Sequence, residues 1–169
     1  MRSFFALLFL LSVALPMRAE DQPTRGPIAT TSGAKFCAQV EKDTFLLVNQ
    51  YRQQHDFPVL TWSDAVAREA RRHSRDMASG EVDFGHDGFR GRVDRLKFDT
   101  QRIMGAGENV FMTDNPVDVA KVAVTNWLHS PHHLKNIRGD YNLSGLGVAQ
   151  GKDGGIYFTQ LFVKTVPAP

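Results

Sequence analysis

Six histidines, one cysteine and 18 carboxylates are the groups in this 169-residue chain that could ligate a metal, move a proton or attack a substrate. Among them His86, Glu108 and His133, two imidazoles and one carboxylate, would make a sound three-ligand set for zinc, with an open fourth position for water. They stand roughly 20 to 25 residues apart, with none of the short His spacing of helical zinc motifs, so spacing by itself does not single them out. Without a metal, Glu108 would still orient an imidazole by hydrogen bonding and move its titration toward physiological pH. Glu108 and Asn109 have a structural role open to them as well: satisfying buried backbone groups where the chain passes beneath a sheet.

Nucleophilic chemistry has thinner support. There is no Gly-x-Ser-x-Gly elbow, and Cys37 has no His or Cys beside it, so it reads as a small apolar residue. Ser130 precedes His133 by three residues and would meet it on a helix, but Pro131 lies between them. His129 and His132 crowd His133; such a tract can collect metal, yet beside a proline turn it reads as surface. His73 falls on an apolar helical stripe and reads as a packed core histidine, and His55 reads as exposed.

Elements must bring any such groups together, and the periodicity changes along the chain. From Cys37 to Gln54, Val40, Phe45, Leu46, Val48 and Tyr51 fall on roughly helical spacing, and Pro58 ends the run. Asn49 and Arg52 on this helix read as ties to a neighbouring element. Ser63 is placed to cap a second helix in which Val66, Ala70, His73 and Met77 recur on one face, and Gly80 stops it. Residues 80–107 are mixed: a loop with His86, a short helical piece over Phe89 to Leu96, then a glycine-broken approach to Gly107-Glu108-Asn109-Val110. A further helix is expected from Pro116 to Leu128, broken by Ser130-Pro131. The last part alternates, YNLSGLGVAQ and IYFTQLFVK joined by GKDGG, and reads as a hairpin. Helices followed by a late antiparallel pair indicate an α+β fold.

The first 19 residues carry Arg2, an apolar run from Phe4 to Leu11 and a small residue, Ala19, at a plausible cleavage point, and read as a signal peptide too short to span a bilayer. Residues 20–35, rich in Pro, Thr, Ser and Gly, read as a flexible lead-in to a domain over 36–166. Localisation is therefore expected to be periplasmic or extracellular, with no stable membrane span after cleavage. Removing Arg2 and Arg18 takes 20 basic side chains to 18, against 18 acidic ones, and the Arg-rich stretches 68–75 and 90–95 are interleaved with acids, so they read as solvated faces. No nucleic-acid footprint follows. A single cysteine forms no internal disulfide, so packing alone must hold the fold.

Seven motifs in order carry a resemblance: Asn49-x-x-Arg52, Leu60-x-Trp62, His86 in a Gly-flanked loop, Gly107-Glu108-Asn109-Val110, Trp127-x-x-Ser130-Pro131-x-His133, Gly145-x-Gly147-Val148 and Tyr157-x-Thr159-Gln160-x-Phe162. Together they resemble the CAP superfamily, also called the SCP or sperm-coating-protein domain, in its bacterial secreted branch, over roughly Val40 to Val163. The resemblance implies an α-β-α sandwich, a central antiparallel sheet flanked by helices, with a cleft holding two His and two acidic residues that bind a divalent metal such as zinc in some members. His86, Glu108 and His133 match three of the four; where animal and plant relatives carry the second glutamate, this chain has Ser130. The implied cleft is His86, Glu108, His133, Ser130 and Asn109. The reading it favours is a non-enzymatic binding module for a small lipid-like, cell-wall or metal-linked ligand. The alternatives are a zinc-dependent hydrolase, with Glu108 as ligand or general base, and a structural or partner-recognition envelope domain.

Overall fold

Nine elements follow one another in the computed structural model, which describes residues 28–168: α1 (Ile28–Gln54), β1 (Thr61–Trp62), α2 (Asp64–Ser79), α3 (Phe89–Asp94), β2 (Gln101–Thr113), α4 (Val119–His129), α5 (Pro131–Ile137), β3 (Leu143–Gln150) and β4 (Ile156–Pro167). The expected signal peptide, residues 1–19, lies outside the described residues. So does 20–27 of the expected lead-in, while 28–35 already belongs to α1, which starts nine residues before the apolar stripe that reveals it.

The sheet has the order β1-β3-β4-β2. The expected hairpin is β3 and β4, antiparallel from Leu143↔Val163 to Gln150↔Ile156. β2, unexpected over most of its length, runs antiparallel to β4 from Gln101↔Pro167 to Thr113↔Ile156, with an irregularity between Ile103 and Gly105. It forms one edge of the sheet. At the other edge, two-residue β1 pairs parallel with β3, so one short pairing departs from the antiparallel expectation.

Helices cover both faces. On one side α1 and α4 enclose a core around Val48, Ala123, Val124, Trp127, Leu146, Phe158 and Phe162. On the other, α2 lies over β3 and β4, with Val66, Ala70, Leu161 and Val163 at its centre and Phe89 of α3 packed against them. This is the α-β-α sandwich that the motifs imply. α2 starts and stops as its sequence predicts: the Ser63 hydroxyl accepts from the Val66 amide, and Gly80 closes the helix in the left-handed region at φ 75°.

α4 begins at Val119 rather than Pro116. The Asn115 side chain accepts from the Val117 amide, and Thr113 Oγ1 accepts from the Asn115 amide, so local side-chain bonds hold this segment as a turn and Pro116 stays outside the helix. Asn49 and Arg52 act as ties. Asn49 exchanges two hydrogen bonds with the Leu60 backbone, and buried Arg52 donates to the carbonyls of Pro58, Ile137, Gly139 and Tyr141.

Candidate functional site

The edge strand β2 is where the two helical layers meet across the sheet. Successive side chains of a strand point to opposite faces, so neighbours Glu108 and Asn109 reach different layers. Glu108 turns to the α2–α3 side, where Arg92 of α3 donates to both of its carboxylate oxygens at 2.8 Å and the His86 Nδ1 lies 2.9 Å from Oε1. Asn109 turns to α5, donating to the His133 carbonyl at 3.2 Å and accepting from Asn136, which also donates to the Glu108 carbonyl. Glu108 and Asn109 thus satisfy buried groups, from within the edge strand rather than beneath the sheet.

His86 sits in the loop between α2 and α3, and three side chains fix that loop. His73, almost fully buried on α2, has Nε2 2.9 Å from the Gly85 carbonyl, as the packed-histidine reading predicts. Arg92 donates to the carbonyls of His86 and Asp87. Glu108 orients the ring itself: an imidazole facing a carboxylate through Nδ1 carries its proton there, leaving Nε2 as an acceptor. The His86 side chain is half exposed, whereas Glu108 and Arg92 are buried behind it.

Across the gap, Pro131 occupies the first turn of α5 and that helix presents His133. The rings of His86 and His133 are 6.4 Å apart, centre to centre. Burial first, then nearby His86 and His132, push the His133 pKa below its ordinary 6.5. A cleft of about 470 Å³ opens between them, walled by Phe84, Val110, Phe111, Met112 and Trp127, with Ser130 and Asn126 also on its lining. The Trp127 indole donates to the Val110 carbonyl, pinning the α4 wall to the strand. Of the five expected cleft residues, His86, Ser130 and His133 line it; Glu108 and Asn109 are buried and stand outside the lining. Ser130 ends α4 and begins α5 without capping either by its side chain.

Among the described residues no group of three or more His, Cys, Asp or Glu side chains is arranged to hold a metal ion. The reason lies in the donors: both Glu108 oxygens accept from Arg92, and one of them also faces His86, so the carboxylate points to a guanidinium and not to a shared centre. A second hollow, about 460 Å³, lies beside Phe45, Leu46 and Trp62. Its buried carboxylate, Glu41, is already held by Arg71 and the Val148 amide.

Arg92 and Asn136 are the site residues that sequence reasoning missed. The stretch 90–95 reads as a solvated face, and Arg95 does pair with Glu69 at the surface, but Arg92 is only 5% exposed. The available signal was its place one turn after Phe89, on the packed face of α3.

Residues 45–162 match the model of the CAP family, described as the Cysteine-rich secretory protein family. Among solved structures, an extracellular protein containing a SCP domain from Bacillus anthracis str. Ames is similar at 28% identity and a TM-score of 0.65, over 82% of this chain and 45% of that one. An outer surface protein from Borrelia burgdorferi is similar at 18% identity and a TM-score of 0.61, over 76% of this chain and 94% of that one. A cysteine-rich secretory protein from Staphylococcus aureus subsp. aureus Mu50 is similar at 18% identity and a TM-score of 0.57, over 76% and 39%. The chain spans less than half the length of the Bacillus and Staphylococcus proteins. A comparison with curated proteins finds no match.

Proposed function

The chain belongs to the cysteine-rich secretory protein (CAP) family, and from that premise we propose that it is an exported, non-enzymatic binding module whose edge cleft takes a small amphipathic ligand. Export is supported by the apolar run at Phe4–Leu11 and by the likeness to an extracellular Bacillus protein. No helix among the described residues is long and apolar enough to cross a membrane. The observation that carries the binding reading is the make-up of the cleft: five apolar walls and a few converging polar groups, one of them an imidazole held in one orientation from behind. An apolar body would lie against Phe84, Phe111 and Met112, and a hydroxyl or amide of the ligand would donate to His86 Nε2. A lipid-like molecule or a cell-wall fragment has this chemistry.

Octyl glucoside, kept below its micelle concentration, is a suitable probe because it joins an alkyl body to hydroxyls. Titrated into the isotope-labelled protein, it should move the NMR signals of the Trp127 indole and of His133 saturably, and Phe84→Ser/Met112→Ser should weaken binding at least tenfold. Shifts scattered over the surface, or unchanged in the variant, would refute the reading.

One observation favours a second, catalytic reading. A carboxylate behind an imidazole is the arrangement of a general base. Against it, Arg92 takes both carboxylate oxygens, and the Ser130 hydroxyl on the same lining caps no helix and has no base positioned on it by the fold. Turnover of an activated ester that disappears in His86→Ala would establish catalysis and displace the binding reading.

A further inference from the structure

We infer that Arg92 is the cation this cleft carries in place of a metal, and that it makes the site refuse divalent ions while keeping His86 oriented. Three features support the assignment. The guanidinium is fixed in place: Nε and Nη2 donate to the two Glu108 oxygens, Nη1 to the Asp87 carbonyl and Nη2 to the His86 carbonyl. Both partners are buried, the side chains 6% and 2% exposed, so water screens their attraction little and the fork-to-carboxylate geometry is the strong one. The two imidazoles are already near the spacing a shared ion needs: zinc bonded to both at about 2 Å would put ring centres roughly 5 to 6 Å apart, and they stand at 6.4 Å. The third donor would have to be Glu108, which lies on the Nδ1 side of His86, so an ion there would displace the Nδ1 proton, and Arg92 holds that carboxylate. A divalent ion would meet a fixed positive charge and a carboxylate whose two oxygens both already accept from it.

Arg92 is thus a positioning residue. It determines which ligands the cleft admits, and the inference does not depend on which small molecule binds there. Its test uses zinc alone, titrated calorimetrically into the untagged, chelator-treated protein. The wild type should show no saturable uptake that depends on His86 and His133. Arg92→Met, which keeps bulk and removes the charge, should gain one zinc per chain at least tenfold tighter than any wild-type uptake, and Glu108→Gln added to it should abolish the gain. Arg92→Gln, which still donates one hydrogen bond, is run beside it in case the methionine variant does not fold, as judged by its thermal transition. One-to-one zinc uptake by the wild type that is lost in His86→Ala/His133→Ala overturns the inference. So does a folded Arg92 variant that takes up no zinc. If neither variant folds, the wild-type titration decides alone.

Discussion

His73 shows how burial of one side chain sets both a loop position and a pH dependence. Its Nε2 donates to the Gly85 carbonyl both in the neutral tautomer with the proton on that nitrogen and in the imidazolium, and burial, the largest influence, holds its pKa below the ordinary 6.5 despite that carbonyl's opposite pull. The unfolded chain therefore binds this proton at a higher pH than the folded one. Stability should be flat above 6.5 and fall as pH drops from 6.5 toward the lowered folded value, because in that window the unfolded state carries more protons. His133, lowered in the same direction, adds to the same slope. Urea unfolding at stepped pH checks this: His73→Gln should remove its share of the decline, and identical slopes in both proteins would refute it. At this scale, the sequence shows a histidine when a helical stripe buries it, as it does His73. Arg92 escapes notice because its partner Glu108 is 16 residues away across a strand, a pairing that no local charge pattern reveals.

Between elements, α2 comes down backbone to backbone on β3 at two glycines. A Cβ added at Gly145 would lie 2.2 Å from the Ala67 nitrogen, and one at Gly147 would lie 2.2 Å from the Arg71 nitrogen, so two glycines two apart let helix backbone settle on strand backbone. Neither the backbone of α2 nor the strand can yield locally, because α2 is bonded to the same sheet by Ser74, which donates to the Gly147 carbonyl and shares a hydroxyl–hydroxyl hydrogen bond with Thr159. Gly147→Ala should cost about 3 kcal/mol or more by pushing the layers apart. Thermal and urea unfolding would measure it, and a loss under about 1 kcal/mol would mean that the layers slide freely. The Gly145-x-Gly147 spacing was visible in the sequence, as were α2 with its caps and the β3–β4 hairpin, since their signals are local. β2 was not, because Gly105 and Gly107 interrupt its alternation and its support comes from long pairing with β4, more than 40 residues on. The start of α1 was hidden for the opposite reason: Thr, Ser and Gly over 30–33 are weak helix formers, and the helix runs through them regardless.

Over the whole molecule, the family description speaks of cysteines, yet this chain has one, Cys37. Two apolar cores, one on each face of the sheet, do the work that cross-links do in small disulfide-rich domains. The polar ties are likewise internal: Arg52 gathers four carbonyls from the α1–β1 and α5–β3 connections, and Glu41 joins α1 to α2 and β3 through Arg71 and the Val148 amide. The cleft is part of this plan, because its two imidazoles come from opposite layers and each is tied to the edge strand between them, His86 through Glu108 and the His133 backbone through Asn109. Cys37, half-buried against the α1–α4 core, is not free to act as a redox handle: burial and then the nearby Glu41 charge raise its pKa above the ordinary 9.0, which keeps the thiolate scarce. The unfolding midpoint of the monomer should therefore be the same with and without reductant, and Cys37→Ala should cost no more than about 1 kcal/mol, since it removes one small, partly exposed side-chain atom from the edge of a core. Thermal scans of both proteins with and without dithiothreitol test the point. A midpoint that falls on reduction would mean that a cross-link between chains stabilises the fold, and the packing argument would then have to yield to a covalent one.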